Sequence, residues 1–176
     1  MADRGESPVL SVIERAVAAA LLSAAWDEPA EISTAELVWG RSHIVRLGIR
    51  GGRSAILKRP RRRRPGAEPG EPEREAFGVE LASLEYLGGM PDPVAPRLLG
   101  ADVPAGVLLM EELPAGHSLA DTLLLGDRAT ATADMVAYAT ALGSVHAWSI
   151  GRTSEFGLKP HDDLLPEFPF LGPPSS

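Results

Sequence analysis

The sequence contains no cysteine, no asparagine and no glutamine. Without cysteine there is no disulfide, no thiolate nucleophile and no cysteine metal site. The four histidines, at positions 43, 117, 146 and 161, are scattered and give a zinc site no support. Lysine occurs only twice, at positions 58 and 159, against fifteen arginines. No stretch approaches the roughly 20 apolar residues that span a bilayer, so no membrane segment is expected. Residues 1–8 carry Asp3 and Glu6 and precede a broken helical stripe, which is not the pattern of a secretory signal. A cytoplasmic protein is the simplest expectation. The formal charge of -7 argues against nucleic acid as the default partner. What is present is an apolar fraction of 44%, enough for a real core. At 176 residues the chain holds one full domain, or one small domain with part of another.

Ser7-Pro8 offers a cap and a first-turn proline for a leading helix. Its expected apolar stripe is Val9, Leu10, Ile13, Val17 and Leu21, with Trp26 near the end, and Pro29 stops it by Glu28. Three extended segments follow, over 31–39, 42–49 and 53–59. Gly40-Arg41-Ser42 joins the first pair, and Gly51-Gly52 joins the second as a tight hairpin. The Gly40 turn is either an ordinary hairpin or a cover for a phosphate, since glycine lets backbone N–H groups approach an anion. From Pro60 to Pro72 the chain turns polar, with arginine at 61–64 and glutamates at 68 and 71, which reads as a surface loop.

Helical periodicity resumes over Glu73–Leu87, with Phe77, Leu81 and Leu84 on the apolar face. Glu75 is placed on a neighbouring face, Glu80 and Glu85 are further carboxylates, and Gly88-Gly89 ends the helix. Arg97-Leu98-Leu99 and 107–110 read as two more strands. The expected fold is α+β: a five-stranded antiparallel sheet with one principal helix. Glu111, Glu112 and Leu113 open a hinge over 111–117, whose backbone groups suit an adenine edge or form a plain linker. Ser118 caps a short helix with Asp121 three residues on, with Leu119, Leu123 and Leu124 as its apolar contacts. A longer helix runs from Arg128 or Thr132 to Trp148, with Met135, Val136, Ala139, Leu142 and Val145 as its apolar face. Two helices bury too little to stand alone and need a partner.

A strand lysine paired with a glutamate on the next helix is how kinase-like lobes hold the α/β-phosphates of a nucleotide. The alternative is a solvated Lys58 and a Glu75 that merely complements its helix N-terminus. The order of parts favours the first. Ser54-Ala55-Ile56-Leu57-Lys58, Arg74-Glu75-Ala76, Pro96-Arg97-Leu98-Leu99-Gly100, the run from Leu108 to Gly116, and Leu142-Gly143-Ser144-Val145-His146-Ala147 follow one another in sequence. In that order the chain resembles the N-terminal portion of the aminoglycoside phosphotransferase and choline kinase-like family, a branch of the protein-kinase-like fold. The resemblance covers residues 32–157. It implies a leading helix (1–30), a kinase-like N-lobe (31–110), the hinge, and the start of a helical C-lobe (118–176).

The resemblance also implies ATP with Mg²⁺ as cofactor of a complete enzyme and a small-molecule hydroxyl as phosphoryl acceptor. Lys58, Glu75, Gly40, Arg41, Ser42, Glu111, Glu112 and Leu113 are then the expected nucleotide-binding positions. The family's catalytic aspartate and the asparagine five residues later, a metal ligand, find no match. His161-Asp162-Asp163 is the only superficial counterpart, and Phe168 stands where asparagine belongs. The chain is therefore expected to be an N-terminal fragment of an ATP-dependent phosphotransferase, inactive by itself, with no catalytic residue and no metal ligand of its own. The alternatives are a non-catalytic nucleotide-binding or protein-interaction module that takes a second chain on its exposed helices (118–149), self-association through them included, and a nucleic-acid binder acting through the arginine run, which the acidic charge disfavours.

Overall fold

Ser11 begins the first helix, and it does so with a reciprocal cap. Its hydroxyl accepts from the Glu14 N–H at 3.1 Å, and the Glu14 carboxylate accepts from the Ser11 N–H at 2.7 Å. Helix α1 is therefore Val12–Trp26, starting later than Ser7-Pro8 suggested. A computed structural model describes residues 9–38, 41–60, 69–114, 116 and 118–152. The proposed Ser7-Pro8 start lies outside them. The buried face of α1 is Glu14, Ala18 and Leu22, while Ile13, expected inside, is 68% exposed. The stripe is turned by one residue because Glu14 faces inward to meet Arg59 at 2.9 Å.

Five strands follow: β1 (Ile32–Val38), β2 (Arg41–Ile49), β3 (Ser54–Lys58), β4 (Leu98–Asp102) and β5 (Val107–Glu111). They form one sheet in the order β1-β2-β3-β5-β4, with every neighbouring pair antiparallel. This confirms the α+β, five-stranded antiparallel expectation. The β2–β3 hairpin turns on Gly51 and Gly52, whose φ values of 95° and 90° disfavour any residue with a Cβ. Helix α2 (Glu71–Gly88) carries the chain from β3 to the sheet edge at β4, and β5 then fills the place between them. Pro72 in the first turn of α2 needs no backbone donor, and Glu71 and Glu73 complement the positive end of the helix.

Strand alternation divides the core in two. Ala55, Leu57, Val107 and Leu109 point to one face and cluster with Ala18 and Leu22 of α1. Ile56, Leu108 and Met110 point to the other, against Phe77 and Leu84 of α2. Leu47, Leu57 and Leu109 are wholly buried on the α1 side. Each contributes about 1.5–3 kcal/mol relative to an exposed side chain. Helix α1 is also tied by polar contacts: Arg15 donates to the Ile32 carbonyl at 3.0 Å, and Arg53 lies over the Trp26 ring, 5.0 Å from its centroid. Gly100 lets α1 come close, since a Cβ there would lie 3.2 Å from the Leu21 side chain.

Helix α3 (Leu119–Leu125) carries the Ser118/Asp121 cap that the sequence suggested. It buries Thr122, whereas Leu123 and Leu124 are exposed, so the expected apolar contacts are not made by these leucines. Asp127 caps α4 (Arg128–Ser149) by accepting from the Ala129 and Thr130 N–H groups. The Thr130 N–H, then its hydroxyl and the Ala129 N–H, hold the Asp127 carboxyl below its usual pKa. No residue of α4 is buried, and Met135, Val136 and Leu142 of its expected apolar face are exposed. Near its end, Arg152 stacks on Trp148, 3.6 Å from the ring centroid.

Candidate functional site

Lys58 is the last residue of β3. Its register partners are Ile44 on β2 and Leu108 on β5, so it lies on the α2 side of the sheet. There its ammonium makes an ion pair with Glu80 of α2. The pair is partly buried, with 26% of the lysine side chain and 38% of the glutamate side chain exposed, so it is held without being sealed from water. A lysine so fixed presents a positioned point charge to an anion.

The glutamate is not the one expected from the sequence. Helical geometry gives the reason. At about 100° per residue, Glu80 is about 60° from Phe77, at the margin of the buried stripe, whereas Glu75 is about 160° away. Phe77 and Leu84 are buried against the sheet, and Glu75 is on the exposed part of α2. The helical wheel alone contained this signal.

The remaining expected positions divide by place. Arg41 and Ser42 are the first two residues of β2, and Gly40 lies outside the described residues. Glu111 ends β5, opposite Ala55, and its carboxylate accepts from the Arg97 N–H at 2.8 Å. Glu112 holds the Arg46 guanidinium at 2.8 Å. Both glutamates line an open depression of about 430 Å³, together with Trp26, Arg53 and Arg97. Leu113 is exposed. Lys58 does not line that depression. Glu112 is four residues along the chain from Leu108, the register partner of Lys58, a separation of about 13 Å at ~3.3 Å per residue. Two ends of one sheet are thus marked: a cation at the β3 end, and backbone groups of residues 111–113 at the β5 end. The sheet face between them carries half-buried Ile44 and Ile56 and exposed Arg46.

Sequence reasoning passed over Glu14 and Arg59. Burial raises the Glu14 carboxyl pKa, but the Ser11 N–H and hydroxyl and the Arg59 charge outweigh it and leave the pKa below the ordinary value. Arg59 also donates to the Val9 carbonyl at 3.1 Å. These contacts tie α1 to the residue after Lys58. The Ser11-x-x-Glu14 spacing was their readable signal.

Among the described residues, no cluster of three or more histidine, aspartate or glutamate side chains is placed to hold a metal ion. No described helix is long and apolar enough to cross a membrane. The arginine run at 61–64 and His161-Asp162-Asp163 lie outside the described residues. No protein-family profile, curated protein or solved structure matches the chain.

Proposed function

We propose that the chain supplies the nucleotide-holding part of an ATP-dependent phosphotransferase that acts on a hydroxyl group of a small molecule, of the aminoglycoside phosphotransferase and choline kinase-like type. The observation that carries this reading is the Lys58–Glu80 pair, from the end of a central strand to the helix packed on the same sheet face. The strand order β1-β2-β3-β5-β4, with a single helix inserted between β3 and β4, is the arrangement expected of a protein-kinase-like N-lobe. Lys58 would bind the α/β-phosphates, and Glu80 would fix its rotamer before the nucleotide arrives. The backbone of Glu111–Leu113 would meet the adenine edge. The roughly 13 Å between the two ends suits an extended nucleotide.

Among the described residues, no carboxylate cluster is placed to hold Mg²⁺. The sequence has no asparagine to serve as the family's metal ligand, so this chain is expected to bind nucleotide without transferring phosphate. The same lack favours a second reading, a non-catalytic nucleotide-binding module.

Calorimetric titration with ATP, ADP and AMP tests the phosphate-binding role. ATP and ADP are expected to bind with similar affinity and AMP about tenfold or more weaker, because AMP lacks the β-phosphate. Equal affinity for all three nucleotides, or no binding of any, would overturn the reading.

A further inference from the structure

The sheet face that carries Lys58 also carries an arginine. Val45, Leu47 and Ile49 of β2 are buried on the α1 side, so alternation places Arg46 on the opposite face. There it stands beside Ile56, its register partner on β3, two residues before Lys58. Ile56 in turn pairs with Met110 on β5, and Glu112 follows Met110 by two residues. The Arg46 Nε lies 2.8 Å from one Glu112 carboxylate oxygen and donates to the other at 3.0 Å. Strand β3 lies between β2 and β5, so the two side chains together bridge it, a span of about 10 Å between the outer strands. Among the described residues, the terminal amino groups of Arg46 have no hydrogen-bond acceptor. An ion pair this exposed, with 55% of the arginine side chain open, adds little to stability. Its effect is to hold the guanidinium on the sheet face, toward the backbone of residues 111–113.

We propose that Arg46 is the surface on which the nucleotide base stacks, an inference that rests on the reading of Lys58 as a phosphate contact. A base whose edge meets the 111–113 backbone turns one ring face toward the sheet. At that level the face presents Arg46, with Ile56 beside it. A guanidinium plane stacks on an aromatic ring and adds a cation–π attraction. Such a contact is indifferent to the hydrogen-bonding edge of the base, because every base has a ring face. Glu112 is then a positioning residue, which engages Nε and leaves the guanidinium plane open. The work of the site divides: Lys58 meets the phosphates and Arg46 meets the base.

Calorimetric titration of the full chain with ATP and with inorganic tripolyphosphate, which has the phosphates without the base, tests the proposal. Arg46→Ala should weaken ATP binding about tenfold and leave tripolyphosphate within about twofold of the native value. Lys58→Ala should weaken both. Arg46→Lys keeps the charge but loses the plane, so it should behave as Arg46→Ala does. Glu112→Gln should weaken ATP binding severalfold and have no further effect once Arg46 is replaced by alanine. An ATP affinity lowered by Lys58→Ala but unchanged by Arg46→Ala would overturn the stacking role and leave the nucleotide reading standing. Equal losses for ATP and tripolyphosphate in Arg46→Ala, or native ATP affinity in Arg46→Lys, would reduce Arg46 to a charge and overturn the stacking role as well. A native chain that binds no ATP would overturn both readings.

Discussion

About 140° of helix rotation separates the two glutamates that could have met Lys58. Glu80 lies at the edge of the stripe formed by Phe77 and Leu84, where a side chain reaches the sheet without entering the core. The lysine itself was legible from its extended apolar segment. Its partner was legible only once the helical phase was set by the residues actually buried. Glu14 shows the same limit from the other side. A charged residue in a predicted helix reads as solvent-facing, yet this one is turned inward by its cap and by Arg59. Glu14→Gln leaves Arg59 partly buried without that charge partner, and at neutral pH it should destabilise the fold by about 3 kcal/mol. Because the folded-state pKa of Glu14 is depressed, its ionic contribution is fully present above the unfolded carboxyl value of about 4.3 and is lost as pH falls through the lower folded value. Urea denaturation of both proteins at pH 7 and at lower pH checks this. The difference between them should shrink toward acid, and a pH-independent difference would remove the ionic component.

At the scale of elements, the strands were legible because glycines and alternation punctuate them. Gly51-Gly52 forms the expected tight turn, and Ala55/Leu57 against Ile56/Lys58 gives the two faces. The position of β5 between β3 and β4 was not legible, since no local signal records which distant strand a strand will pair with. Nor could periodicity tell whether the apolar face of α4 would be covered, because a buried stripe and an exposed one look the same in sequence. The seating of α1 depends on a residue with no side chain: Gly100, at a register irregularity in β4, admits Leu21. Gly100→Val should push α1 from the sheet and lower stability by about 1–3 kcal/mol, measured as a reduced denaturation midpoint. An unchanged midpoint would show that α1 can shift at no cost.

For the whole molecule, the sheet is covered on one face by α1 and on the other, over β3 and β5, by α2, and among the described residues Thr34, Glu36 and Arg46 of β1 and β2 are exposed. Composition could announce a core of this size, but it could not separate a nucleotide lobe from any other α+β sheet. The proposal of a nucleotide lobe rests on the strand order and on one ion pair. The most direct measurement is therefore a double-mutant cycle on ATP affinity with Lys58→Ala, Glu80→Gln and the two combined, with Glu75→Gln as a control. Loss of a charged phosphate contact should cost about 1.5–3 kcal/mol, so Lys58→Ala should weaken ATP binding roughly ten- to hundredfold. Glu80→Gln should weaken it severalfold in the native background and not at all once Lys58 is gone, because the glutamate acts only through the lysine. Glu75→Gln should leave affinity unchanged. An ATP affinity that is the same with and without Lys58 would contradict the account.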